Sequence, residues 1–354
     1  MAMPITAPEQ VTAKWLTDVL RNAGELPYGN ITDVKIKSTK IRPYSRITYL
    51  EVGYSANTSA AKPSNLFLKL ASPNEQQATS EINSREVEFY RIVGSEMNGP
   101  PLINCYDAVY SPATGESHLL LDDLSETHFQ TDQGEAPSCF YSELAIKCLA
   151  QFHAYWREHP TLGNDVGRFF DEQWLATFVE DLEKSVPRFL AFLGDELSTE
   201  RRQAYQRMLA SSRKIWGRLT RPEGLTLTHG DTHWWNFLYP KDPTSEQTRI
   251  FDWQLWHIDL GARDLAFLVA LGGFAERRPE VDPKLLRLYH ETLIANGVEN
   301  YPWSVFWDDY RWSAIRNLNI PVIFWSQEKH ERTWRRALER AFQAYNLLDC
   351  ASLS

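Results

Sequence analysis

The spacing of apolar and polar positions changes near residue 123, from short strand-like runs to long helical stripes. Before that point, residues 34–41, 46–54 and 65–71 read as strands. The second of these alternates with period two, putting Thr48, Leu50, Val52 and Tyr54 on one face. Runs 102–110 and 117–121 flank Ser111, Pro112, Ala113, Thr114 and Gly115, a composition that predicts a hairpin. Residues 11–21 predict an amphipathic helix that starts near Thr6 to Glu9, and residues 81–93 a second helix. Beyond residue 123, the stretch 141–158 carries Leu144, Cys148, Phe152 and Trp156 at helical spacing, the stripe of a core-facing helix. Residues 163–217 read as mostly helical, with interruptions at Pro187 and Gly194, and further helices are expected at 284–295, 303–318 and 332–348.

One stretch, 225–252, breaks this simple division. A β-prone run at 225–228 meets the polar cluster His229, Gly230, Asp231, Thr232 and His233. Two tryptophans follow, then Asn236, an apolar run at 237–239, a turn-rich insert, and a strand-like 249–251 that ends on Asp252. Two carboxylates and an amide therefore stand where short strands stop, with a hairpin expected between them. That is the layout a magnesium–nucleotide site needs: one aspartate accepts or orients a hydroxyl proton, while an asparagine and a second aspartate offer oxygens to Mg²⁺. Asn236 follows Asp231 by five positions, as in the pattern H-x-D-x-x-x-x-N, and Asp252 follows by twenty-one, a reach that one hairpin folds back. On this reading Asp231 is the candidate catalytic base, Asn236 and Asp252 are the candidate metal ligands, and His229 and His233 brace the loop. Transfer is expected to be direct, since no covalent nucleophile stands out.

With IFDWQLWHIDLGARDLAFL following, the chain resembles the aminoglycoside phosphotransferase and choline-kinase-like superfamily, especially its bacterial and ecdysteroid-kinase-like branch, whose members carry HGD, a following N, and DWQ or DFQ. The resemblance is specific from residue 225 to residue 268. It implies an α+β, protein-kinase-like bilobal fold: a small antiparallel β-sheet N-lobe over residues 1–122 and a larger, mostly α-helical C-lobe over 123–354. It implies ATP and Mg²⁺ as cofactors and a small hydroxylated molecule as phosphate acceptor, whose identity the motifs leave open. By the same resemblance Lys69 holds the α/β-phosphates and Glu86 orients it, with Glu88 as the rival partner. The phosphate-covering loop falls at 42–45, where the family's glycines are missing, so the backbone around Tyr44 and Ser45 is the candidate phosphate contact. Leu121, Asp122 and Asp123, followed by Leu124, resemble the hinge that meets adenine through backbone groups. His153 stands at a recurring L-A-x-x-H position and reads as a satisfied structural histidine. Asp264, in D-L-A, is expected to cap its helix. Asp259, placed in an exposed loop, is a possible substrate contact together with Trp256 and Asp309. The aromatic run 303–312 suits a tryptophan-rich core or a surface that stacks against a cation.

Composition narrows the classes that remain. At 354 residues the chain exceeds one typical domain. Its net charge of −9 argues against a nucleic-acid partner, whose phosphates need a basic footprint. Four cysteines without a CxxC pair point to a reducing compartment. The first ten residues have no basic start or apolar core, so no signal peptide is expected, and the apolar run 265–275 is too short to span a bilayer. The expectation is a cytoplasmic monomer or homodimer without a membrane partner. Two rivals stand beside the kinase. A His229, Asp231 and His233 triad on one face of an extended segment would hold Zn²⁺ or Fe²⁺ in a metal-dependent hydrolase. A pseudokinase would bind nucleotide without turnover, a reading the missing glycines favour.

Overall fold

The computed structural model describes residues 3–42, 45–58, 63–71, 77–97, 99–135, 137–272 and 278–353, with backbone only at 77–81 and 278–281. Pro43 and Tyr44, on which the phosphate-loop expectation rests, lie outside the described residues, as does the end of the apolar run at 273–275. In chain order the first elements are α1 (Ala13–Asn22), β1 (Ile31–Ile41), β2 (Ser45–Tyr54), β3 (Asn65–Ala71), α2 (Gln77–Glu96), β4 (Cys105–Tyr110), β5 (Ser117–Asp122) and β6 (His128–Phe129). Helices α3 (Cys139–Trp156), α4 (Glu172–Leu193), α5 (Thr199–Ala210) and α6 (Ser212–Trp216) follow. Then come β7 (Thr226–Thr228), β8 (Phe237–Pro240), β9 (Arg249–Ile250) and β10 (His257–Asp259). The chain ends with α7 (Gly261–Leu265), a π-helix at Ala266–Leu271, α8 (Arg278–Ala295), α9 (Trp303–Arg316), α10 (Asn319–Ser326) and α11 (Glu331–Leu347).

The chain divides into two compact units, one of Met1–Gln130 and Phe237–Trp256, the other of Thr131–Asn236 and His257–Ser354. This differs from a single division after residue 122, because the β8–β9 hairpin groups with the first unit. Long-range bonds explain it. β6 pairs with β8, the amide of Ile250 donates to Pro101 O at 2.9 Å, and Trp253 stacks on Phe89 at 4.0 Å between ring centres.

The first unit is built on a five-stranded antiparallel sheet of order β1-β2-β3-β5-β4. The alternation of β2 does what period two dictates: Thr48, Leu50 and Val52 are buried and Glu51 is exposed. Leu66, Leu68 and Leu70 of β3 join Leu50 and Val52, with Leu16 and Leu20 of α1 and Leu120 of β5, in one apolar core. α1 begins later than its composition suggests. Pro8 to Gln10 form a separate 3₁₀ turn, and Thr12 caps the helix by accepting the amide of Trp15 at 3.1 Å. The predicted hairpin forms between β4 and β5, with Tyr110 opposite Ser117.

The second unit is mostly helical, with one two-stranded pair, β7 and β10. α4 passes through Pro187 without a break. A proline there removes one backbone bond, while Leu182, Val186, Phe189 and Leu190 around it are buried, and packing outweighs the lost bond. α9 settles the aromatic run. Phe306 and Tyr310 are core, and the half-exposed Trp303 and Trp312 already carry cations of the chain, Arg287 at 3.5 Å and Lys214 at 4.5 Å from the ring centres.

Candidate active site

In the first unit, β3 turns Leu68 and Leu70 into the core and so sends Lys69 to the opposite face. There its Nζ lies 2.7 Å from Glu86 Oε2 on α2 and 2.8 Å from Asp252 Oδ1, two residues past β9. Burial alone would push the ammonium down. The charges of Asp252 and Glu86 outweigh it, and Lys69 is held above its ordinary value. Glu86 is only 3% exposed, and burial pushes its carboxyl up while Lys69 pulls it down. Glu88, the rival partner, faces solvent. Asp252 has φ +69°, in the left-handed region that a non-glycine residue adopts at a cost and that collects at functional sites. Trp253 anchors this turn, its indole donating to Ile250 O at 3.2 Å. The Asp252 side chain stays 36% exposed, so one of its oxygens is engaged by Lys69 while the group keeps an open side.

In the second unit, β7 ends at Thr228 and the chain turns through Gly230, whose φ of +81° favours glycine. Asp264 fixes the turn: its carboxylate accepts the amides of His229 at 2.6 Å and Gly230 at 3.0 Å. Asp264 therefore does not cap its helix, as its position before Leu265 suggested. It lies inside α7, where only α7's packing on β7 reveals its partner. His153 Nε2 meets the same carboxylate at 3.3 Å and its Nδ1 meets the Tyr289 hydroxyl at 2.7 Å, so both ring nitrogens are engaged. Gly261 makes room for this pair, since a Cβ there would stand 2.5 Å from the Tyr289 oxygen. Burial would push Asp264 up, but the hydrogen bond and charge of His153, with His229, bring it down to about 2.

Asp231 follows directly. Its amide donates to His229 Nδ1 at 3.2 Å, and its carboxylate lies 3.2 Å from His233 Nε2 with the side chain 38% exposed. Burial pushes this carboxyl up, but the His233 hydrogen bond and the charges of His233 and His229 hold it below the usual aspartate value. His233 stacks on Trp235 at 4.1 Å. Asn236 is buried, and its Nδ2 donates to Asp231 O at 2.9 Å, which leaves Oδ1 as the atom it can offer to a ligand. An amide oxygen of this kind, like the carboxylate oxygens of Asp252 in the first unit, is the hard type of donor that Mg²⁺ takes. The hydrolase triad fares worse: His229 is fully buried with Nδ1 bonded to the Asp231 amide, and no group of three or more His, Cys, Asp or Glu among the described residues is arranged to hold a metal.

Other candidates need correction. Asp259 is not in an exposed loop: it ends β10 at 0% exposure, and Arg316 grips both its oxygens at 2.8 and 2.6 Å, holding its carboxyl far below the usual range against the pull of burial. Trp256 is 2% exposed, its indole spent on Arg85 O. Asp309 is 9% exposed and accepts the Tyr301 hydroxyl at 2.9 Å, with burial raising its carboxyl. None of the three presents a side chain to a substrate. The hinge expectation also shifts. The amides of Asp122 and Asp123 already donate to Asn104 O and Asn65 O, and the Asp122 carboxylate accepts from Asn104 Nδ2 and Tyr106 Oη. Leu121 is buried in the sheet, and Ser45 is a buried first residue of β2, opposite Ala71. Sequence reasoning missed Tyr289 and Arg316, which lie 136 and 57 positions from His153 and Asp259 and belong to no motif.

The sequence profile of the Ecdysteroid kinase-like family matches residues 45–298, more than half of the chain. Among curated proteins, none matches in sequence. An assigned aminoglycoside phosphotransferase from Ralstonia eutropha JMP134 superposes over 96% of this chain and 98% of its own, with a TM-score of 0.56 and 11% identity. The GDP complex of wild-type aminoglycoside 2'-phosphotransferase-IIIa covers 94% and 98%, with TM-score 0.54 and 13% identity. A thermostable mutant of APH(4)-Ia, in ternary complex with ADP and hygromycin B, covers 96% and 98%, with TM-score 0.50 and 12% identity. At these identities the likeness speaks for the fold, a mixed α+β, kinase-like phosphotransferase fold with a small antiparallel sheet and a helical part.

Proposed function

The chain belongs to the Ecdysteroid kinase-like family, and from that premise we propose that it moves the γ-phosphate of ATP to a hydroxyl of a small molecule by direct in-line transfer. The observation that carries this reading is Lys69, an ammonium held between the buried Glu86 and the half-open Asp252. A lysine so braced has its charge fixed in place, ready for the α/β-phosphates. Asp231 accepts the acceptor's hydroxyl hydrogen bond and takes its proton as the new O–P bond forms and the β–γ bridge breaks, releasing ADP. Its depressed carboxyl and its hydrogen bond to His233 keep it ionised and aimed. Asn236 Oδ1 and Asp252 are the proposed ligands of Mg²⁺, which when bound neutralises charge on the phosphates. GDP and ADP complexes among the structural neighbours support a purine nucleotide as cofactor. Four free cysteines support a reducing, cytoplasmic setting.

The test has two stages. A melting shift with ATP that depends on Mg²⁺ is expected first, followed by ADP release across a panel of hydroxylated acceptors. Asp231→Asn should keep the Mg-ATP shift and lose turnover by about 10²–10⁴-fold. Wild-type turnover in that variant would remove the base assignment. The absence of glycine from residues 42–45 of the sequence and the committed hinge amides favour one second reading, a pseudokinase. ATP binding without ADP release on any acceptor would establish it instead.

A further inference from the structure

The second unit carries a cavity of about 370 Å³ that none of the roles above uses. Its walls are the start of α4, α6, the 3₁₀ turn at Gly217–Thr220 and the residue after that turn. Its polar lining is Glu172, Arg213, Lys214, Arg218, Thr220 and Arg221. The sequence explains the gathering. From 212 to 221 the chain reads SRKIWGRLTR, and Ser212, Ile215, Trp216 and Leu219 are buried. At helical spacing the opposite face is left to Arg213, Lys214, Arg218 and Arg221, four cations in nine positions of a chain whose net charge is −9. Lys214 and Arg218 stand four apart and Arg218 and Arg221 three apart, spacings at which like charges work against a helical run. A face that served solubility alone would mix the two signs.

Carboxylates answer these cations only in part. Glu172, the acid in the cavity wall, accepts the Thr220 hydroxyl at 3.0 Å. Lys214 lies over the Trp312 ring at 4.5 Å and donates to Leu353 O at 3.4 Å. The charges of Arg218 and Arg157 both act on Asp309, whose carboxylate takes the Tyr301 hydroxyl. Arg157 and Glu158, which hold the carbonyl and the amide of Gly224, balance each other. Among the described residues, no ion pair joins any of the four lining cations to a carboxylate. Setting Glu172 and Asp309 against two of them leaves a surplus of two positive charges, and Arg213, Lys214 and Arg221 stay exposed. A concave wall of one sign gathers ions of the other. Guanidinium forks meet phosphate oxygens through paired N–H bonds. A phosphate monoester brings about two negative charges at neutral pH and three acceptor oxygens, which matches the surplus.

We propose that this cavity is a second ligand site, which binds a small phosphate monoester through Arg213, Lys214, Arg218 and Arg221. It stands independently of the phosphotransfer reading, since none of these residues belongs to the candidate active site. The test is calorimetric titration of the full-length protein, at fixed ionic strength, with glycerol 2-phosphate, glycerol and a hexaglutamate peptide. Wild-type protein and the Lys69→Met/Glu86→Gln variant, which lacks the cation proposed to hold nucleotide phosphates, should bind glycerol 2-phosphate equally, and neither should bind glycerol. Arg213→Gln/Arg221→Gln should weaken the phosphate ester by about 10- to 100-fold. Both side chains are exposed, so the fold is expected to stand, and melting curves check it. Arg213→Lys/Arg221→Lys, which keeps the charge without the fork, should hold part of the affinity. Arg332→Gln/Arg336→Gln removes two exposed arginines of α11, and so the same charge, and should leave the affinity unchanged. The site is overturned if wild-type protein fails to bind the ester, or if the two glutamine pairs weaken it equally. Loss of binding in the Lys69→Met/Glu86→Gln variant would place the ester at the candidate active site and overturn it too. Tighter binding of hexaglutamate than of the ester would give the cavity to an acidic protein segment, again against the proposal.

Discussion

In the first unit Lys69 is gripped by two carboxylates, and one of them, Asp252, keeps its side chain 36% exposed. In the second unit Asp264 is 1% exposed, and its two oxygens accept from two backbone amides and a histidine. Both clusters are charged, both join residues far apart in the chain, and both lie where sequence motifs point. They differ in what is left over. The Asp264 cluster is saturated, and its charge is spent on holding the 229–231 turn. The Lys69 cluster keeps an open carboxylate beside a fixed cation, which is the condition for binding something further. Asp231 sits with Asp252 in this respect, its side chain 38% exposed though the turn behind it is locked. Saturation, more than charge or burial, separates scaffold from site here.

That contrast can be broken in three ways. The largest effect is expected from Asp264→Ala, which removes the acceptor of the His229 and Gly230 amides and of His153 Nε2 and should cost about 3–5 kcal/mol in urea unfolding. The acid limb of stability reports the same group. Its folded pKa lies below the ordinary value, so its contribution is full above about pH 4 and lost as pH falls through about 2, roughly 2 kcal/mol that Asp264→Asn should not show. Next comes Lys69→Met, which strands the buried Glu86 and should cost about 3 kcal/mol. Pairing it with Glu86→Gln should restore most of that stability without restoring the Mg-ATP melting shift. If the double variant regained the shift, the open cluster would be scaffold after all. Gly261→Ala is the mildest. A Cβ there meets the Tyr289 oxygen at 2.5 Å and His153 Nδ1 at 2.9 Å, and should cost about 1–3 kcal/mol in thermal unfolding while the expected Mg-ATP melting shift is kept.

Much of this was legible in the chain because it is local. Period two in 46–54 gave β2, the turn composition at 111–115 gave the β4–β5 hairpin, and Asp231 and Asp252 stand just past β7 and β9 as expected, whereas Asn236 leads into β8. Asp259 shows where local reading stops. Its surroundings in sequence suggest a loop, and only β10 pairing with β7, plus an arginine 57 positions away, buries it. Asp264 likewise looks like a helix cap until the 229–230 amides are brought to it.

By itself, the sequence determined which strands and helices form and where its polar motifs stand against them, because side-chain type and short-range spacing fix backbone preference. The tertiary structure alone decided which of the acidic groups are spent and which stay open. That outcome depends on partners such as Arg316, Tyr289 and Lys69, and a carboxylate's state is set by what surrounds it in space, not by its neighbours along the chain.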